Sequence, residues 1–305
     1  MQASGILLHI AGLWMLSTLD ATGKLLVMGG VPVLMVSWFR YTVHVALMTA
    51  IVVPRRGRAI WRTHSLRGQL LRGALMIATT VLFFSVLGRL PLAEGTAMNF
   101  MAPLFLMALA PWLLGEPSRL HRWIGVLAGF AGMLIVVRPG AQLDPLGVAL
   151  GLLTALAFAC FQVVTRRLAA DDPLTTNYYG GVFGAVALTL ALPWFWSDLP
   201  LTGRQWLLLA STGVTGFIGH WLQITAYSRA PATLLAPFSY LQIVAATTLG
   251  WLLFDQLPGR TTAMGIGLIC LAGIGVALTE AYRARRLTGS AAPEPQKQSA
   301  RTGRL

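Results

Sequence analysis

The sequence predicts an all-α integral membrane protein, ten transmembrane helices in two five-helix inverted repeats. Three observations carry this expectation. There is too little charge to build a water-soluble surface, ten apolar stretches approach spanning length, and a residue pattern returns after about 140 positions.

Composition decides the class. Of 305 residues, 56% are hydrophobic and 11% are charged, and the mean hydropathy is +0.68. Globular domains carry about 25% charged residues, so one or two soluble domains of this length are excluded. The net charge of +13 would suggest a nucleic-acid partner in a soluble chain. Here the run PRRGRAIWRTHSLRGQLLR (54–72) and the tail from Arg283 each hold six Lys or Arg beside apolar segments. They read as orientation signals at a membrane face, with the lipid bilayer as partner and no nucleic acid. Cys160 and Cys270 lie inside apolar segments and read as small hydrophobes.

A helix crossing the hydrocarbon core needs roughly 20 mostly apolar residues. The candidates are about 5–27, 32–53, 70–88, 92–114, 120–137, 146–165, 175–196, 205–227, 231–254 and 262–282. Continuous apolarity, without alternation, argues against strands. The first span has no basic n-region or small-residue cleavage site before it and reads as a retained helix. The basic 54–72 run separates spans 2 and 3. GRLPLAEGTA (88–97) separates spans 3 and 4: Pro91 pre-sets a first helical turn and Arg89 is an interfacial anchor. Gly125, Gly129 and Gly132 give span 5 a small-residue face for close packing, and Gly265, Gly273 and Gly275 do the same for span 10. These faces meet each other or those of a second protomer in a homodimer.

The connections carry 17 Lys or Arg on one side and four (Arg89, Arg138, Arg204, Arg260) on the other. That asymmetry places both termini in the cytoplasm and the chain in the cytoplasmic (inner) membrane. A shift of 140 places Arg89 on Arg229 and Pro91 on Pro231; a shift of 142 places Lys24 on Arg166. Residues 1–140 and 141–284 therefore read as two copies, and 285–305, polar and Pro-containing, as a disordered cytoplasmic tail. Because five is odd, the copies face opposite ways. Inverted repeats of this kind characterise secondary transporters working around a midplane site.

The stretch NFMAPLFLMALAPWLLGEPSRLHRWIGVLAGFAGMLIVV (99–137) and its echo APFSYLQIVAATTLGWLLFDQLPGRTTAMGIGLICLAGIGVAL (236–278) resemble the EamA-type branch of the drug/metabolite transporter superfamily. Gly115-Glu116, followed by Gly125, is similar to the family pattern; the second copy departs from it with Asp255-Gln256. The resemblance covers roughly 5–282. It implies ten helices around a central cavity lined largely by spans 3, 4, 8 and 9. It also implies a small-molecule substrate: such families include exporters of amino acids and importers of vitamins, nucleotides or S-adenosylmethionine.

An ionisable group inside a span costs roughly 2.5–3.5 kcal/mol on insertion scales and is a functional candidate by default. Asp20, Lys24, Arg40 and His44 form the sharpest set. At 1.5 Å per residue, Asp20 and Arg40 both lie roughly 10–12 Å below the outer surface, so Asp20 can pair with Arg40 or with Lys24 one turn on. Either a structural ion pair or a gating and proton-coupling pair follows, and Lys24 has the further option of snorkelling outward. Glu94 suits the positive end of the fourth span, as a cap or as a gating group. Asn99 lies deeper and is a cavity candidate. His220, Gln223 and Tyr227 form one polar stripe on span 8. Ser239, Tyr240 and Gln242 add polar groups to span 9 beside Pro237, which removes a backbone donor.

The rival classes lack their motifs. The only Gly-Lys pair, Gly23-Lys24, stands outside a Walker A pattern. His9, His44, His64, His121 and His220 have no metal-site spacing, and G-x-S-x-G is missing. The expectation is a transporter of a small organic metabolite, not an enzyme, working by alternating access without a cofactor. Asn99, His220, Gln223, Tyr227, Ser239, Tyr240 and Gln242 are its substrate contacts, and Asp20, Lys24, Arg40, His44 and Glu94 its gating or coupling groups, with protons as a candidate coupling ion. Export is slightly favoured; an importer and a non-transporting scaffold are the alternatives.

Overall fold

In the computed structural model, the described residues are 2–113, 120–137, 143–196, 200–230 and 235–289. Their regular structure is helical throughout, with no strand among them. In chain order the helices are α1 (Gln2–Met28), α2 (Val33–Ile51), the short α3 (Val53–Arg56), α4 (Leu66–Leu87), α5 (Leu92–Asn99) and α6 (Ala102–Leu113). Then follow α7 (Leu120–Val137), α8 (Pro145–Arg167), α9 (Pro173–Phe195), α10 (Gly203–Arg229), α11 (Leu241–Phe254) and α12 (Arg260–Gly289). Two 3-10 turns, Gly57–Trp61 and Ala236–Tyr240, precede α4 and α11.

Local chemistry sets the helix starts. Ser65 accepts the Gly68 N–H at 3.2 Å to open α4. Asp144 and Asp172 cap α8 and α9, each followed by proline at the first helical position, where a missing N–H costs nothing. Thr202 and Gln205 close a reciprocal capping box on α10.

Six helices (α1, α2, α4, α8, α9 and α10) are long and apolar enough to cross a membrane, and shorter apolar helices cover Trp123–Val136, Phe238–Phe254 and Arg260–Val276. Two expected spans are not single helices. The stretch read as 92–114 divides at Phe100–Met101 into α5 and α6, and the ninth opens with the 3-10 turn before α11. Pro103, in the first turn of α6, has no N–H for the Asn99 carbonyl, which is the physical reason for the first break. The helix α12 runs to Gly289, past the expected start of the tail at 285. Gly115, Glu116, Arg138, Pro231 and residues 290–305 lie outside the described residues.

Packing brings α1 against α10 and α11, α4 against α8 and α9, α2 against α9 and α10, and α6 against α8. The helices α7 and α12 pair with each other, but of the two expected glycine faces only Gly132 and Gly265 touch; Gly125 meets Val276, Gly129 faces Leu104 of α6 and Gly273 faces Tyr240. A Cβ on Gly132 would lie 2.8 Å from the Gly265 carbonyl oxygen, and one on Gly265 would lie 2.7 Å from that of Gly132. Only glycine at both positions permits this backbone approach.

Candidate functional site

Two polar clusters occupy the interior, and α10 contributes to both. The first is built on α2, where Arg40 and His44 stand one turn apart on one face. The His44 ring meets His220 of α10 edge-to-face at 5.8 Å and Phe217 at 6.0 Å. The Nε2 atoms of His44 and His220 are both buried with no hydrogen-bond partner among the described residues. Arg40 donates through Nη1 to the Thr80 hydroxyl at 2.6 Å, which also bonds the Tyr41 hydroxyl at 2.8 Å. Asp20 of α1 is buried and within electrostatic reach of Arg40. The expected direct pair is not made: among the described residues, Asp20 forms no ion pair with Arg40 or with Lys24. One turn before it, the Ser17 hydroxyl is also buried and unpartnered. Glycine makes room for the cluster: a Cβ on Gly181 would press on His44 Cδ2 at 3.2 Å, and one on Gly216 on Leu19 at 3.0 Å.

The second cluster centres on His9, which sequence reasoning weighed only for metal spacing. It is 1% exposed. Its Nδ1 lies 2.5 Å from Gln223 Oε1, its Nε2 lies 3.1 Å from Ser239 Oγ, and Gln223 Nε2 donates to the His9 carbonyl at 3.2 Å. Tyr227 packs on the ring edge-to-face at 5.7 Å. The stripe predicted on span 8 therefore divides: His220 faces α2, while Gln223 and Tyr227 face α1. His9 and Gln223 are 214 residues apart, so the only available signal was a second polar residue in an apolar span.

The remaining candidates scatter. Lys24 neither snorkels nor pairs with Asp20. It is 2% exposed and donates Nζ at 2.6 Å to the carbonyls of both Leu87 and Leu90, capping the end of α4 as cations do at helix C-termini. Glu94 sits in the first turn of α5 as expected, within electrostatic reach of Lys24, with Oε2 buried and unpartnered. Asn99 closes α5 at the first break, and Gln242 stands in the first turn of α11 after the second; both are half-buried, and neither side chain bonds another described residue. The Tyr240 and Phe100 rings touch at 4.9 Å, joining the two breaks.

Sequence reading also passed over the buried Arg72, which ties α4 to its neighbours through Thr165 Oγ1 (2.9 Å) and the Thr176 carbonyl (3.0 Å). Beyond the helix ends, Asp171 gathers the connection before α4. Burial works against its charge. The Thr63 hydroxyl, the His64 backbone N–H and ring, and the Gln69 amide outweigh burial and hold its carboxyl well below the usual range. Arg89, expected as an interfacial anchor, is held by Asp144 at 2.8 Å.

A family model described as the EamA-like transporter family matches residues 3–138 and again 145–278. The chain is similar to the pseudopaline exporter CntI of Pseudomonas aeruginosa (strain UCBPP-PA14), 29% identical, with 91% of this chain and 97% of that one covered. It is also similar to the riboflavin transporter of Vibrio cholerae serotype O1, 26% identical over 84% and 87% of the two chains. The S-adenosylmethionine uptake transporter of Rickettsia bellii is 25% identical over 80% and 84%. A solved crystal structure, 23% identical, superposes with a TM-score of 0.65 over 94% of this chain and 99% of the other, which shows the same fold.

Proposed function

The chain belongs to the EamA-like transporter family and carries small molecules across a membrane rather than catalysing a reaction; on that premise, we propose that it works by alternating access, with export favoured. The observation that carries the site is the pair of unpartnered ring nitrogens, His44 Nε2 and His220 Nε2, beside Arg40 and Asp20. Polar atoms buried without partners are costly unless a ligand or water completes them. The substrate is an uncharged or zwitterionic metabolite, met by His44, His220 and Arg40. Asn99, Ser239, Tyr240 and Gln242 line the helix breaks, where transporters of this construction place their sites. Asp20, near Arg40 but not locked to it, exchanges the coupling proton. Gln223 and Tyr227 act through His9, while Lys24 and Glu94 brace the outer end of the gate.

Two inverted repeats, 1–140 and 141–284, supply the ten spans. What supports them is a matched packing pattern. Replace each helix by its counterpart five spans on, and α1 with α10 becomes α8 with α4. Likewise α2 with α10 becomes α9 with α4, and α11 with α1 becomes α6 with α8. Both termini face the cytoplasm, on the 17-to-4 charge asymmetry, and the membrane is the cytoplasmic one.

The test compares metabolites inside and outside cells with and without the protein. A compound that builds up outside only when the protein is present, and no longer does with His220→Ala, supports the reading; no difference under any growth condition sinks it. For the identified compound, Asp20→Asn abolishes the pH dependence of flux in a folded protein, and an unchanged dependence removes Asp20 from coupling. The uptake relative favours import as the second reading, which depletion from the medium would select.

A further inference from the structure

Along α10, beside the rings of Phe217 and Tyr227 that pack on His44 and His9, two adjoining cavities share Trp221. One, of about 160 Å³, is lined by Ile51, Phe217, Ile218, Trp221 and Leu222. The other, of about 540 Å³, runs past Trp221, Ile224 and Tyr227 to Leu174 and ends at Arg56 and Asp172. Two of the three hydroxyls on its wall are turned to backbone: Thr225 donates to the Trp221 carbonyl and Ser228 to that of Thr225, both at 2.8 Å; the third belongs to Tyr227, whose ring packs on His9. The groove is thus apolar along its length and charged at one end.

Its dimensions match one leaflet. From Phe217 to Ser228 the helix rises about 16 Å, half of a hydrocarbon core about 30 Å thick. At the charged end, Arg56 meets Asp172 through one contact of 3.2 Å, with side chains 48% and 42% exposed. The other guanidinium donors stay open to a phosphate. Arg55 and Arg58 beside it are exposed, so the positive charge outweighs the single carboxylate.

We propose that this groove binds an anionic phospholipid, with an acyl chain along Phe217, Trp221 and Ile224 and the phosphate at Arg56. The groove shares Tyr227 with the His9 cluster but includes neither His44 nor His220, and the proposal does not depend on the identity of the substrate. The groove lies along α10, with Pro173 and Leu174 of α9, Ile51 of α2 and Arg56 of α3 on its walls.

The test is native mass spectrometry of the full-length purified protein titrated with dioleoyl phosphatidylglycerol or dioleoyl phosphatidylcholine. The expected result is preferential retention of phosphatidylglycerol. Arg56→Gln should weaken it about fivefold, the weight of one cation at an anionic surface. Asp172→Asn keeps the α9 cap but removes the competing charge, and should tighten it. Ile224→Trp, which fills the groove, should remove the bound lipid while the protein stays folded. Equal retention of both lipids, or no response to either charge variant, overturns the proposal. So does displacement by sn-glycerol 3-phosphate, because a headgroup alone would then suffice.

Discussion

At the first helix break, between α5 and α6, the chain is held by its own backbone and by apolar contact. Phe100 N–H donates to the Thr96 and Ala97 carbonyls and Met101 N–H to that of Met98. The neighbouring wall is Gly151 of α8, where an added Cβ would lie 2.6 Å from the Met98 sulfur. At the second break, Ala236–Tyr240, the neighbouring wall is α1, and His9 straps Ser239 to Gln223. His9 stands 142 positions before Gly151 and Ser239 stands 140 after Asn99, the two shifts that relate the halves of the sequence. The same place in two related packings is filled once by glycine against a thioether and once by a hydrogen-bonded imidazole. The lesson is that two helix breaks can be held by different chemistry, one by shape and the other by directional bonds.

This contrast can be broken experimentally. His9→Ala leaves Gln223 Oε1 and the Ser239 hydroxyl unpartnered around a hole, and is expected to cost roughly 2–4 kcal/mol. Thermal unfolding of the purified protein in detergent reads it, and a wild-type Tm would show that the strap does not hold the second break. Gly151→Leu drives a side chain into the buried Met98 and should cost about 1–3 kcal/mol in the same assay; if it is silent, the first break is not held by shape. Ser239→Ala spares the bond between His9 and Gln223 and should cost only about 1 kcal/mol. A loss as large as that of His9→Ala would mean Ser239 is the strap's main anchor.

The smallest effect is a control away from both breaks. Asp171 is held below its unfolded value of about 3.9, so its contribution is present above that value and lost as pH falls through the lower, folded one. The Tm difference between wild type and Asp171→Asn should therefore stay constant from pH 8 down to about 5, because the variant lacks the Asp171 contribution throughout. A variant that matches wild type at pH 7 would show that this tie adds no stability.

Much of this was legible one helix at a time. Apolar length marked the spans, and Pro91 marked the start of α5. The break at Phe100 was not, because Pro103 sits in an unbroken apolar run whose periodicity continues through it. The site was legible as residue types but not as partners. Asp20 and Arg40 share a depth, yet depth does not fix rotation, and Arg40 turns to Thr80 instead. Lys24 found two carbonyls 63 and 66 residues away, and His9 a glutamine 214 away. Such bonds depend on how packed helices are rotated and set in register against one another, which a single sequence does not state.

The crossing of Gly132 and Gly265 has a mechanical consequence. Two backbones in direct touch leave no side chain between them to repack, and Ile269 and Val136 flank the contact, so sliding would bring a side chain into it whereas a tilt about it would not. In the proposed alternating-access cycle the crossing would serve as a fulcrum, with lever arms running from it to the helix ends. Label pairs placed beside it should hold a constant distance through the transport cycle, while pairs at the ends of the same two helices move most.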